Sequence, residues 1–120
     1  MPTLDDFLAK VKNGSWVDFN QTIAIIDHYY HYQPTYFRNG LHENSAGKNE
    51  GSCKIFAFAK MHHLNTAQTL ALFGNYYHID VLKNPDGVDH PNIRQFMKDS
   101  WNGITFENSS TLTLKKPVSC

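Results

Sequence analysis

The sequence predicts a mainly helical α+β fold, in which a small antiparallel sheet accompanies four or more helices. Apolar residues recur at helical spacing in several segments, whereas residues 36–38, 104–107 and 112–115 have strand character. Of the 120 residues, 41% are hydrophobic and 18% are charged, as is typical of a globular chain with one core. We therefore expect residues 1–120 to form one domain whose sheet contains those three strands.

Two amphipathic helices are predicted at the start of the chain. The first covers residues 3–13, with Thr3 as its N-cap and Gly14 as its stop signal. Helical spacing of apolar residues resumes at Trp16 and continues to Tyr30, which predicts a second helix.

A turn and a long apolar helix are predicted in the middle of the chain. The dipeptide Asn39-Gly40 favours a tight turn, so a short strand or hairpin is expected there before the polar, Gly-rich loop of residues 44–52. Residues 52–64 are too long an apolar segment for a typical strand, and we interpret them as the central helix. Its Phe56 and Phe58 are expected to be buried, because two exposed phenylalanines would create an apolar surface patch.

Three further helices are predicted before the last two strands. The first runs from Thr66, as its cap, to residue 73, and the second occupies residues 75–84. The last helix starts at Pro91, since proline suits a first helical turn, and Asp89 is interpreted as its cap.

Composition and charge argue against several functional classes. The formal net charge is zero, the pI is about 7.0, and no basic tract is present, which argues against a nucleic-acid partner. No apolar run approaches the roughly 18 residues that a membrane span needs. The acidic N-terminal segment does not resemble a secretory signal, so we expect folding in a cytoplasm. A disulfide between Cys53 and Cys120 is therefore disfavoured.

Cys53 is a candidate nucleophile, because a Gly-Ser pair precedes it and an aromatic-rich helix follows, as in papain-like proteases. A helix N-terminus favours the thiolate and lowers the thiol pKa, and His78 or His90 could act as the base. Against this interpretation, Glu50 occupies the position of that family's preceding cysteine, and free cysteines are often buried.

Phosphate-loop and metal motifs are not found in the sequence. No segment matches the Walker pattern, the dinucleotide-binding glycine pattern or the HExxH zinc motif. There is also no CxxC pair for a structural zinc site. We therefore predict neither a metal site nor a cofactor.

Several long segments of the sequence resemble the HopJ type III effector family of bacterial proteins. They are FRNG at residues 37–40, NSAGKNEGSCKIFAFAKMHHL at 44–64, QTLALFGNYYHIDVLKNPDGVDHPNIRQFMKDSW at 68–101, and the trailing GITF. The resemblance runs from the first helix to about Phe106. Two positions depart from the family pattern, which has arginine at His78 and glycine at Ser100.

The resemblance implies a relative of a protein delivered into host cells by type III secretion, and it implies no reaction. We expect a non-catalytic binding or regulatory protein, located in the bacterial cytoplasm or secreted into a host cell. The alternative is a small cysteine-dependent hydrolase or transferase that uses Cys53 with His78 or His90.

A binding surface is predicted where the Gly-rich loop meets the start of the last helix. Backbone N–H groups are free at such positions, and two arginines there would suit a carboxylate or phosphate. The expected partner is an unknown protein or a small acidic ligand. The alternative is that the same polar side chains bond to one another and lock the loops. The candidate binding residues are Arg38, Asn49, Asp80, His90, Asn92 and Arg94.

Overall fold

The computed structural model describes residues 2–115, and this part of the chain forms five α-helices, a π-helix, a 3₁₀-helix and five short strands. The mainly helical α+β fold is thus confirmed. The helices are α1 (Leu4–Lys12), α2 (Phe19–Tyr29), α3 (Glu50–Met61), α4 (Thr66–Ala71), the π-helix (Tyr76–Val81), α5 (Pro91–Asp99) and the 3₁₀-helix (Ser100–Gly103). The strands are β1 (Tyr30–Tyr32), β2 (Phe37–Asn39), β3 (His42–Asn44), β4 (Ile104–Phe106) and β5 (Leu112–Leu114).

Side-chain caps fix the starts of two helices. The Thr3 hydroxyl accepts a hydrogen bond from the Asp6 N–H at 3.1 Å, so the predicted cap of α1 is confirmed. At α4 the cap is Asn65 rather than Thr66, and Asn65 and Gln68 form a reciprocal capping box.

The second helix is shorter than its apolar pattern predicted. It begins at Phe19, after Asp18 in an extended conformation, and Trp16 lies outside it with 67% of its surface exposed. Tyr30, predicted to be helical, instead begins β1. Its backbone pairs with Leu114, so tertiary strand pairing ends the helix where the local pattern would extend it.

The strands form two antiparallel sheets rather than the single predicted one. In the first sheet β2 lies between β3 and β4, and the turn at Gly40 has a φ of +57°, as the Asn-Gly pair predicted. In the second sheet β5 pairs with β1, a strand that the sequence analysis missed. A three-residue strand has too few residues for its hydrophobic alternation to specify a partner strand. The pairing therefore depends on which strands the rest of the fold brings side by side.

The hydrophobic core surrounds α3. Phe56 and Phe58 are both fully buried, which confirms the predicted core. The Phe56 ring lies 6.0 Å from Phe37, 5.6 Å from Phe73 and 5.0 Å from Phe96, measured between ring centroids. This aromatic cluster joins β2, the segment after α4, and α5 to the central helix.

The last helix begins at Pro91 as predicted, but its N-cap residue is His90 rather than Asp89. Within residues 2–115, none of the helices is both long enough and apolar enough to cross a membrane.

Candidate functional site

A cleft of about 270 Å³ opens between the N-termini of α3 and α5. This is where the Gly-rich loop meets the last helix, the place that the sequence analysis indicated. The lining consists of the first residues of both helices and three aromatic side chains: Asn49, Gly51, Ser52, His90, Pro91, Asn92, Ile93, Phe19, Phe73 and Tyr76.

Both helices begin at the cleft, and neither has a side-chain cap at its N-terminus. Their N-cap residues, Asn49 and His90, have left-handed backbones with φ of +52° and +49°, and neither side chain bonds to its helix's first turn. In the described part of the chain, the backbone N–H groups of Gly51 and Ser52 have no hydrogen-bond acceptor. Such N–H groups carry the positive end of the helix dipole, so this end of the cleft favours negative charge.

Four asparagines hold the two helix starts together. Asn92 Nδ2 donates to Asn44 Oδ1 at 2.9 Å, and Asn49 Nδ2 donates to the same oxygen at 2.7 Å. Asn39 Nδ2 donates to the backbone oxygen of Asn92 at 2.8 Å and to its side-chain oxygen at 3.0 Å. Asn39, Asn44 and Asn92 are at most 5% exposed. The side chains of Asn49 and Asn92 therefore have a structural role, whatever the cleft binds.

The His90 imidazole lies close to two carboxylates at the edge of the cleft. Its Nε2 lies 2.9 Å from Asp80 Oδ2 and 3.8 Å from Asp89 Oδ2, and its ring packs 5.0 Å from that of Tyr76. The structure thus brings the predicted residues Asp80 and His90 together. Asp89 also belongs to this group, although it was expected to cap α5. Its position next to His90 in the sequence could have indicated this contact.

Arg94 binds the loop before α5 rather than facing the cleft. Its Nε donates to the Asp89 backbone oxygen at 2.6 Å and its Nη1 to the Asn84 oxygen at 2.8 Å. It also pairs with the Asp89 carboxylate, and this hydrogen bond is the main cause that lowers the pKa of Asp89. Only 14% of the Arg94 side chain is exposed, which supports the locking alternative for this residue.

Arg38 lies apart from Arg94, on β2, where it pairs with Glu43 at 3.5 Å and its side chain is 50% exposed. Neither arginine lines the cleft. The fold places the two arginines in different surroundings, so their positions give no support to the prediction that they cooperate around one acidic group.

The two arginines are expected to differ in their effect on stability. Arg94→Ala should lower the free energy of unfolding by about 2 kcal/mol, because four backbone carbonyls lose a charged donor. That loss corresponds to a fall in Tm of roughly 6–12 °C. Arg38→Ala should change stability by at most about 0.5 kcal/mol, since it removes one exposed ion pair. Thermal unfolding followed by circular dichroism measures both, and equal shifts would contradict this assignment.

Cys53 is buried, with 1% of its surface exposed. Burial raises the pKa of its thiol, although the Tyr32 and Thr111 hydroxyls partly offset this. The direction is opposite to the lowering that the nucleophile hypothesis requires, and the burial agrees with the alternative of a buried cysteine. His78 stacks on Trp16 with centroids 4.0 Å apart, and burial lowers its pKa, whereas His90 pairs with Asp80. The Cys53 thiol thus lacks the activation that a nucleophile needs. Cys120 lies outside the described residues.

The fold and the cleft define a mainly helical α+β protein with a polar cleft between two uncapped helix starts. The chain belongs to the HopJ type III effector protein family, which residues 4–111 match. It is also similar to the crystal structure of VPA0580, a protein of unknown function, with 43% sequence identity and a TM-score of 0.92 over 95% of each chain. A search of curated proteins gave no match.

Proposed function

We propose that this HopJ family member is a non-catalytic binding protein that takes a small acidic ligand in the cleft between α3 and α5. The observation that carries the proposal is the convergence of two uncapped helix starts on one cleft. Carboxylate and phosphate groups bind well to helix N-termini, because free N–H groups donate to them and the dipole attracts negative charge.

The aromatic side of the cleft indicates a ligand with an apolar part. The rings of Phe19 and Tyr76 pack against each other with centroids 4.9 Å apart, and both line the cleft. Gly51 allows the close approach of Phe19, since a Cβ at Gly51 would lie 2.8 Å from the Phe19 Cζ atom. A flat or aliphatic group could therefore contact the rings while its acidic group meets the N–H donors.

Three of the six candidate binding residues, Asn49, His90 and Asn92, line this cleft. We therefore place the ligand contacts at the helix starts rather than at Arg38 or Arg94. We propose the bacterial cytoplasm as the place of action, with delivery into a host cell as the alternative that the family description suggests. The cysteine-dependent reaction has no comparable support, since Cys53 does not line the cleft.

Ser52→Asp is expected to abolish anion binding without destabilising the protein. The new carboxylate would repel an acidic ligand, yet a negative charge in the first turn of a helix is favourable for folding. Phenyl phosphate should bind the native protein more tightly than inorganic phosphate because of the aromatic rings. Ser52→Asp should weaken phenyl phosphate binding at least about tenfold, a loss of roughly 1.4 kcal/mol, as measured by isothermal titration calorimetry.

Ala67→Asp is the matched control, because it adds the same charge to the first turn of α4, outside the cleft. It should bind phenyl phosphate as the native protein does. Equal weakening in the two variants would mean that overall charge, and not the cleft, governs binding. No binding by the native protein at millimolar phenyl phosphate would also contradict the proposal.

A further inference from the structure

We propose that Asp80, Asp89 and His90 form a binding site for a divalent transition-metal ion such as Zn²⁺. The inference goes beyond the proposed anion binding and does not rest on it, because Asp80 and Asp89 do not line the cleft. It reverses our expectation from the sequence that the chain has no metal site.

The three side chains offer donor atoms at distances close to those of a metal site. One imidazole nitrogen and one oxygen from each carboxylate all lie within 4.8 Å of one another. The nitrogen is 2.9 Å from the Asp80 oxygen and 3.8 Å from the Asp89 oxygen. In a tetrahedral zinc site, donors about 2.1 Å from the ion stand roughly 3.4 Å apart. The two distances from the His90 nitrogen would have to change by about half an ångström, and the separation of the two carboxylate oxygens by at most about 1.4 Å, to accommodate the ion.

The donor types favour zinc or a similar ion over magnesium. Imidazole is a good ligand for Zn²⁺ and other first-row transition ions, whereas Mg²⁺ prefers six oxygen ligands in an octahedron. Two carboxylates and one imidazole supply three protein ligands, which leaves a fourth position for water or another ligand.

Contacts from outside the cluster hold the ligands in place. Arg94 binds Asp89 Oδ1, which leaves Oδ2 as the oxygen nearer His90. The Asp80 backbone oxygen accepts a hydrogen bond from the Asn84 side chain at 3.2 Å, which fixes the end of the π-helix. Such support of ligating groups by a second layer of hydrogen bonds is usual at metal sites.

Charge and access also suit a cation. The cluster contains two carboxylates, and the guanidinium that contacts them, that of Arg94, compensates only one of them. The His90, Asp80 and Asp89 side chains are 28%, 42% and 57% exposed, so an ion can reach them from solvent. Since His90 also lines the cleft, an ion bound here would lie at its edge.

Isothermal titration calorimetry of the untagged full-length protein with Zn²⁺ alone, and with Mg²⁺ alone, tests the site. We expect one Zn²⁺ per chain with micromolar or tighter affinity, and at least tenfold weaker binding of Mg²⁺. Asp80→Asn and His90→Asn should each weaken Zn²⁺ binding at least tenfold. Asparagine suits His90 because it tolerates the left-handed backbone there.

Asp86→Asn is the matched control, since it removes one carboxylate from the same loop without contributing to the cluster. It should bind Zn²⁺ as the native protein does. Circular dichroism of each variant checks folding, and Asp80→Asn is a surface change that keeps the side-chain shape. Unchanged Zn²⁺ affinity in folded Asp80→Asn or His90→Asn would show that other histidines bind the ion and would overturn the proposal. So would a native protein that binds no Zn²⁺ at 100 μM, a concentration about 100 times the expected micromolar dissociation constant.

Discussion

Phe56→Ala is expected to lower the free energy of unfolding by about 3–5 kcal/mol. The Phe56 side chain is fully buried, and the rings of Phe37, Phe73 and Phe96 surround it at 5.0–6.0 Å. Alanine would leave a cavity at the point where α3 meets three other parts of the fold. Urea unfolding followed by circular dichroism measures the loss.

Two companion variants make this test informative even if the alanine variant fails to fold. Phe56→Leu retains most of the side-chain volume and should lose at most about 1.5 kcal/mol. Phe106→Ala removes a ring that is only partly buried, so its loss should be less than half that of Phe56→Ala. A loss under about 1 kcal/mol for Phe56→Ala would show that the ring is not central to the core.

Asn92→Ala is expected to lower the free energy of unfolding by about 2–3 kcal/mol. Its side chain is the centre of the asparagine cluster, where Oδ1 accepts from Asn39 at 3.0 Å and from Asn44 at 3.3 Å. Its Nδ2 donates to Asn44 Oδ1 at 2.9 Å. Because the partners are nearly inaccessible to water, their lost hydrogen bonds cannot be replaced by solvent.

Asn49→Gly is the control for the asparagine cluster. It removes one hydrogen bond to Asn44, and glycine readily adopts the left-handed backbone of residue 49. Asn49 is exposed, so this variant should lose at most about 1 kcal/mol by the same urea titration. If Asn92→Ala were no more destabilising than Asn49→Gly, the buried cluster would not be the element that joins β2, β3 and the two helix starts.

The position of the candidate site could be predicted from the sequence, but its chemistry could not. The junction of the Gly-rich loop with the last helix was identified because polar residues there had no role in helical periodicity. Which of them meet depends on contacts across the fold. Asn39 and Asn92 are 53 positions apart, and their hydrogen bond exists only after β2 packs against α5. Arg38 and Arg94 have the same chemistry, yet the fold gives them unrelated partners.

The sequence by itself determined the features that depend on neighbouring residues. Apolar spacing and the Thr3 cap specify α1, the Asn39-Gly40 pair specifies a turn, and the length of its apolar run specifies α3 with Phe56 in the core. Each of these signals acts within a few residues, so it can be read without knowing where the rest of the chain lies.

Only the tertiary structure decided the features that depend on distant segments. Tyr30 leaves its helix because β5 pairs with it, Cys53 loses its candidate reactivity because the core encloses it, and Asp89 leaves its expected capping role to contact Arg94 and His90. Strand pairing, desolvation and ion pairing depend on which groups become neighbours in space. In a chain with short strands and dispersed charges, local residue patterns do not contain that information.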